Sequence, residues 1–258
     1  MKILKNLYLD DAVNNYYIYL LENGKLEKQV DNKEIILHHL NNGVILQNTL
    51  NNSLFIPSKL YEESEIEQIL DKIDTLKPEW ISFGDLCPNL TNKLKEKYPN
   101  ALFEMQNIAT LKKEDLKLFA NDKNYKIVKV DNSNIDLAID FLRENDFYPS
   151  TRENWIREYK NQQAKYGYLV FDKDKLIGHC CIVYSTSDYF VLWGVLVKQE
   201  YRNQGISKIM VAKLCNELLT ISNKDILLYY TKEIIGNIYK KIGFKDVSQL
   251  LSLTFKND

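Results

Sequence analysis

The chain has 258 residues, 45% of them hydrophobic, with 34 Lys+Arg against 35 Asp+Glu. That is enough apolar material for one large domain or two ordinary ones, and the even charge excludes a chain-wide basic surface for nucleic acid or an anionic membrane. No apolar run approaches the ~20 residues of a membrane-spanning helix, and the N-terminus turns acidic too early for a secretory leader. Cys87, Cys180, Cys181 and Cys215 show no C-x-x-C spacing and read as free thiols in a reducing compartment, with no metal site. A soluble cytoplasmic protein, monomeric or homodimeric, is expected.

In chain order, residues 9–22 carry apolar side chains at helical spacing up to the Asn23-Gly24 stop. Residues 31–43 fit either a short helix, with Asp31 and Glu34 as a capping box, or a strand. Residues 43–50 and 54–60 flank an Asn-Asn-Ser turn and predict a hairpin. Ile66, Ile69, Leu70 and Ile73 share one face of a helix over 62–75. A buried strand at 80–84 follows, then a helix with Pro88 in its first turn and Pro99 beyond its end, then one or two strands over 101–111. Alternating strands and helices make residues 1–120 an α/β domain, and the polar stretch 112–124 a linker.

The second half, residues 125–258, opens with a strand at 125–130. A helix follows, capped by Ser133 and Asp136, with Ile135, Ala138, Ile139 and Leu142 on one face. Thr151 caps a second helix carrying Trp155, Ile156 and Tyr159. Three strands at 168–172, 175–185 and 189–197, joined by short polar turns, predict antiparallel neighbours. Adjacent in a strand, Cys180 and Cys181 point to opposite faces. A helix then starts near Ile206, a strand runs from 225 to 231, a helix from 234 to 244, and a last strand from 246 to 255.

The stretch from Trp193 to Leu219 organises this half. A buried strand hands the chain to Arg202-Asn203-Gln204-Gly205-Ile206-Ser207 and then to an amphipathic helix. Gly205 and Ser207 let a ligand approach the backbone, the first amides of the helix are free, and Arg202 adds positive charge, which together describe an anion site. It is not a P-loop, because no Gly-Lys-Ser/Thr follows. By itself the pattern is also that of a plain strand-to-helix turn. Downstream, the strand around Leu227–Thr231 is followed by Asn237, Tyr239 and the terminator Gly243-Phe244.

Taken together, strand, R-x-x-G-x-S, helix, strand, N-x-Y-x-x-x-G-F resembles the GNAT superfamily of acyl-CoA-dependent N-acyltransferases, and within it the FR47-like and glycine N-acyltransferase-like branch. Ser207 stands where Gly or Ala is usual. The resemblance implies an α/β (α+β) fold, with a mixed, mostly antiparallel sheet flanked by helices over 125–258. The first domain is either a degenerate copy of the same fold, as in tandem members, or an unrelated α/β cap.

The resemblance also implies acetyl-CoA, or another acyl-CoA, as cosubstrate and an amine as acceptor. Amides from Asn203 through Gln204, Gly205 and Ile206 to Ser207 hold the pyrophosphate. Backbone groups of Leu196 and Val197 pair with the pantetheine arm, Asn237 hydrogen-bonds it, and Tyr239 serves as general acid. The strand YFVLWGVLV carries no carboxylate to act as base. Glu200 is expected to face solvent and His179 to be structural, leaving a water relay ahead of Tyr184 and Tyr230. Trp155, Tyr159, Trp193 and Tyr230 are candidate acceptor-pocket residues, each also explained by core packing. The alternative from a different class is a CoA-binding or interaction module without catalysis. A third is an acyltransferase for bulkier acyl donors.

Overall fold

The computed structural model describes residues 3–84, 88–145 and 166–255. The chain divides into two compact units, Met1–Ile108 with Asp246–Asp258, and Ala109–Lys245.

Unit 1 begins with α1 (Asp11–Glu22), whose N-cap Asp10 accepts from the Val13 amide at 3.1 Å. A seven-residue α2 (Lys25–Asp31) then follows left-handed Gly24. It buries only Leu26 and, at seven residues, is too short to show an extended apolar face in the sequence. The ambiguous stretch after it is a strand, β1 (Ile35–His39), fixed by antiparallel pairing with β2 (Val44–Asn48) from Ile35↔Asn48 to His39↔Val44. β3 (Ser53–Ile56) completes the expected hairpin. α3 (Glu63–Leu76) follows, opened by a capping box of Glu62 and Glu65 and burying Ile66, Ile69 and Ile73. β4 (Trp80–Gly84) lies parallel to β3, α4 (Pro88–Lys97) starts on the expected proline, and β5 (Leu102–Leu111) is one continuous strand.

β5 crosses into unit 2, where Ala109 and Leu111 are core residues. The polar stretch after it holds little regular structure, yet Leu116 and Phe119 pack on that core. β6 (Lys126–Lys129), β7 (Gly167–Asp172), β8 (Lys175–Ser185) and β9 (Tyr189–Val197) are antiparallel neighbours in that order. α5 (Ile135–Arg143) has Asn134, not Ser133 or Asp136, at its N-cap. The Ser133 hydroxyl instead donates to Asp131 Oδ1 at 2.5 Å, a local Asx-type bond that competes with capping. The second helix expected here, with Thr151, Trp155, Ile156 and Tyr159, lies outside the described residues, as does Cys87.

α6 (Ile206–Ile221) and α7 (Glu233–Ile242) bracket β10 (Asp225–Tyr230), which is parallel to β9. Ile206, Met210, Leu214 and Leu218 are all buried, each such side chain contributing about 1.5–3 kcal/mol by leaving water. The sheet of unit 2 has two apolar faces, one against α6 and α7 and one against α5. Cys180 belongs to the first and Cys181 to the second, as strand alternation requires. Cys180, Cys181 and Cys215 are buried free thiols. The last strand, β11 (Lys245–Thr254), pairs antiparallel with β4 from Leu250↔Gly84 to Thr254↔Trp80 and so completes unit 1.

Candidate functional site

Two parallel strands of unit 2 part company. β10 pairs with β9 only at Asp225↔Tyr189, Ile226↔Phe190 and Leu227↔Val191. β9 runs on to Val197, so beyond Val191 its edge on that side has no ladder with β10. Such an edge offers backbone donors and acceptors to an extended ligand. Leu196 and Val197, the two positions expected to meet the pantetheine arm, lie on this stretch. The Val197 carbonyl also accepts from Arg202 Nε at 3.2 Å, so part of that guanidinium is engaged at the strand end while the residue itself stays exposed.

The loop above the edge is shaped by two left-handed residues, Asn203 at φ 62 and Gly205 at φ 79. Asn tolerates this region better than most residues and Gly adopts it freely. Gly205 is the N-cap of α6 and offers no side chain to its first turn. The first amide with an acceptor is that of Ile209, which donates to the Gly205 carbonyl at 3.1 Å. Among the described residues, no acceptor meets the amides from Asn203 to Lys208. A run of unsatisfied N–H groups at the positive end of a 16-residue helix is a concentrated anion site. The Gln204 side chain is turned elsewhere, its Oε1 accepting from Lys123 Nζ at 2.7 Å and the Tyr125 hydroxyl at 2.8 Å. Those bonds tie the loop to the stretch before β6. Ser207 is half-buried in the first turn, without the Cβ branching that would crowd a ligand.

Tyr239 sits in α7 with 8% of its surface exposed. Its ring packs edge-on against Phe244, centroids 5.7 Å apart, and lies 6.4 Å from that of Tyr230. Burial, with a smaller effect of the Cys180 and Cys215 thiols, pushes its phenol well above the ordinary tyrosine range. It therefore keeps its proton at any working pH and can serve as a hydrogen-bond donor. Tyr230 is seated against Gly236 so closely that a Cβ there would lie 2.3 Å from its ring. Asn237 is exposed on α7.

The candidate bases separate in the same way. Glu200 is exposed and ion-paired with Lys175 at 2.9 Å, and a bond from its own amide followed by Lys175 lowers its pKa. It faces solvent as expected. His179 is wholly buried, its Nδ1 2.8 Å from the Gly194 carbonyl, and burial pushes its pKa down to about 4. Trp193 packs with the α5-face cluster and Tyr230 with the α6-face cluster, so packing does not bring these two proposed pocket residues together. Sequence reasoning passed over the bulge at Gly194, although a glycine inside an apolar strand is the usual sign of one. Among the described residues no His, Cys, Asp or Glu group could hold a metal, and no helix is long and apolar enough to cross a membrane.

With this geometry established, comparison with known proteins gives a consistent class. Residues 135–244 match the sequence model of the Acetyltransferase (GNAT) family. A GCN5-related N-acetyltransferase from Kribbella flavida is similar in structure over 93% of this chain and 96% of its own, with TM-score 0.66 at 12% identity. One from Sphaerobacter thermophilus is similar over 94% and 91%, with TM-score 0.61 at 13% identity. A GNAT-family acetyltransferase from Colwellia psychrerythraea is similar over 85% and 84%, with TM-score 0.59 at 15% identity. No curated protein matches by sequence. The chain has the GNAT fold over nearly its whole length, and the acetyltransferase signature lies in unit 2.

Proposed function

We propose that unit 2 transfers an acetyl group from acetyl-CoA to a primary amine by direct attack within a ternary complex. The observation that carries this reading is the pairing of an open β9 edge with the unpartnered amides of Asn203–Lys208. The amides suit a pyrophosphate and the edge suits the amide-bearing pantetheine arm that extends from it. In this reading an N–H near Leu196 or Val197 also holds the oxygen of the thioester carbonyl.

The amine nitrogen adds to that carbonyl carbon after losing a proton to water, since an alkylamine of pKa ~10.4 is almost wholly protonated at neutral pH. The tetrahedral oxyanion is held by the strand amide. The C–S bond then breaks, the nitrogen gives its second proton to water, and the sulfur takes the proton of Tyr239, which is later restored from solvent. Asn237 hydrogen-bonds the arm from α7. Amino-acid conjugation, as in the glycine N-acyltransferase-like branch, belongs to the same proposal as one choice of acceptor. The catalytic unit is placed in the second half of the chain, with residues 1–120 as a non-catalytic GNAT-like half.

The test is titration of CoA into the purified protein, followed by thiol release from acetyl-CoA with a panel of small amines, amino acids and peptides. Binding with release supports the reading. Binding without release on every acceptor supports the non-catalytic CoA module instead. Tyr239→Phe is expected to lower kcat by about 100-fold or more while leaving CoA affinity within about 2-fold.

A further inference from the structure

Within β9, Cys181↔Trp193 and His179↔Leu196 bracket a bulge. Gly194 and Val195 stand opposite Cys180 alone, and Gly194 adopts φ 63. A bulge bends its strand and re-aims the backbone groups that follow. Here those groups are Val195, Leu196 and Val197, on the stretch of β9 that β10 has already left. The ladder to β8 holds one side of it. The Gly194 carbonyl, at the bend, is taken by the imidazole of His179 at 2.8 Å. The ring is packed against that glycine so closely that a Cβ on Gly194 would lie 3.0 Å from His179 Cε1.

We propose that His179 is a positioning residue, whose Nδ1–H bond to the Gly194 carbonyl fixes the bulge that aims the Val197 amide, which faces away from β8, at the donor thioester. This rests on the acyl-transfer reading above. A carbonyl only accepts, so the ring proton must be on Nδ1. A neutral imidazole places no charge in the core, which accords with its complete burial. The role needs a donor at the Nδ1 position. Asparagine offers its amide nitrogen near that position, whereas glutamine places its amide where Nε2 lies.

The experiment has a physical arm and a kinetic arm. In the wild-type protein, long-range proton–nitrogen NMR of the imidazoles is expected to show His179 with Nδ1 protonated and Nε2 not; the opposite tautomer overturns the proposal. In the kinetic arm, His179→Gln is expected to lower kcat for acetyl transfer about 100-fold, the scale of losing an oxyanion donor, with the amine KM within about 2-fold. His179→Asn is expected to restore kcat to within a few-fold. Wild-type rates in His179→Gln, or no rescue in a His179→Asn protein that melts like wild type, would falsify it. If wild type releases no thiol with any amine, the transfer reading fails by itself. His179 is then judged by CoA affinity, which His179→Gln should weaken and His179→Asn should keep.

Discussion

Both units contain a strand, a helix and a second strand parallel to the first, and they treat the start of that helix in opposite ways. In unit 1, β3 and β4 stay paired from Ser53↔Trp80 to Ile56↔Phe83, the whole length of β3. The helix between them opens with Glu62, Glu63 and Glu65, and its capping box occupies the Glu62 and Glu65 amides. Glu65 is nearly fully buried and salt-bridged to Lys59 at 2.8 Å, and Lys59 also reaches the Asn42 carbonyl at 3.0 Å. The end of β4 is sealed too, because a Cβ on Gly84 would lie 2.2 Å from Ser58 Oγ. In unit 2 the parallel pair separates after Val191↔Leu227, and the helix opens on Gly205 without a capping side chain. A helix start either consumes its amides or offers them. Capping carboxylates give stability in one unit, and bare amides give an anion site in the other.

The largest break in this contrast should come from making unit 2 resemble unit 1. Ser207→Glu puts a carboxylate into the first turn of α6, where it favours the helix but repels a pyrophosphate. CoA affinity is expected to fall by about 100-fold with an unchanged or slightly raised melting temperature, measured by calorimetry on the same sample. Breaking the sealed helix start in unit 1 should act on stability instead. Lys59→Met leaves Glu65 buried without its partner and should cost about 3 kcal/mol in denaturant unfolding, with CoA affinity unchanged; adding Glu65→Leu should recover most of it. The smallest effect is expected at Glu200. It is exposed and ion-paired with Lys175, so Glu200→Gln should keep kcat within about 2-fold between pH 6 and 9. The Tyr239 phenol adds a sign to that profile. Its raised pKa means that the acid form persists beyond the ordinary tyrosine value of ~10, so no alkaline fall in rate should come from this group below that pH.

Much of this was legible from residue order. Ile66, Ile69 and Ile73 announced α3, Pro88 the start of α4, and the short polar turns the antiparallel run β7–β9. Arg202, Gly205, Ser207, Asn237 and Tyr239 gave the candidate site because each marks a local event: a left-handed cap, a small first-turn residue, a helical spacing. What sequence left open depends on partners distant in the chain. Nothing in Ile35–His39 decides strand over helix until Val44–Asn48 pairs with it. Ser133 gives up the capping role because its hydroxyl is bonded to Asp131, and Asn134 stands at the N-cap instead. The early separation of β9 from β10, and the contact of His179 with Gly194, are tertiary facts with only a glycine inside a strand to hint at them.

The placement of β11 has a consequence for how the protein is made. Unit 1 pairs β4 with a strand that leaves the ribosome only after all of unit 2. Until then the β4 edge is bare, with Ile81 and Phe83, both buried in the finished unit, on an incomplete sheet. Unit 2 has no such wait, since Ala109–Lys245 is continuous. The half made first is therefore the half finished last, and slow or interrupted translation beyond Lys245 would leave unit 2 attached to an open, association-prone sheet edge.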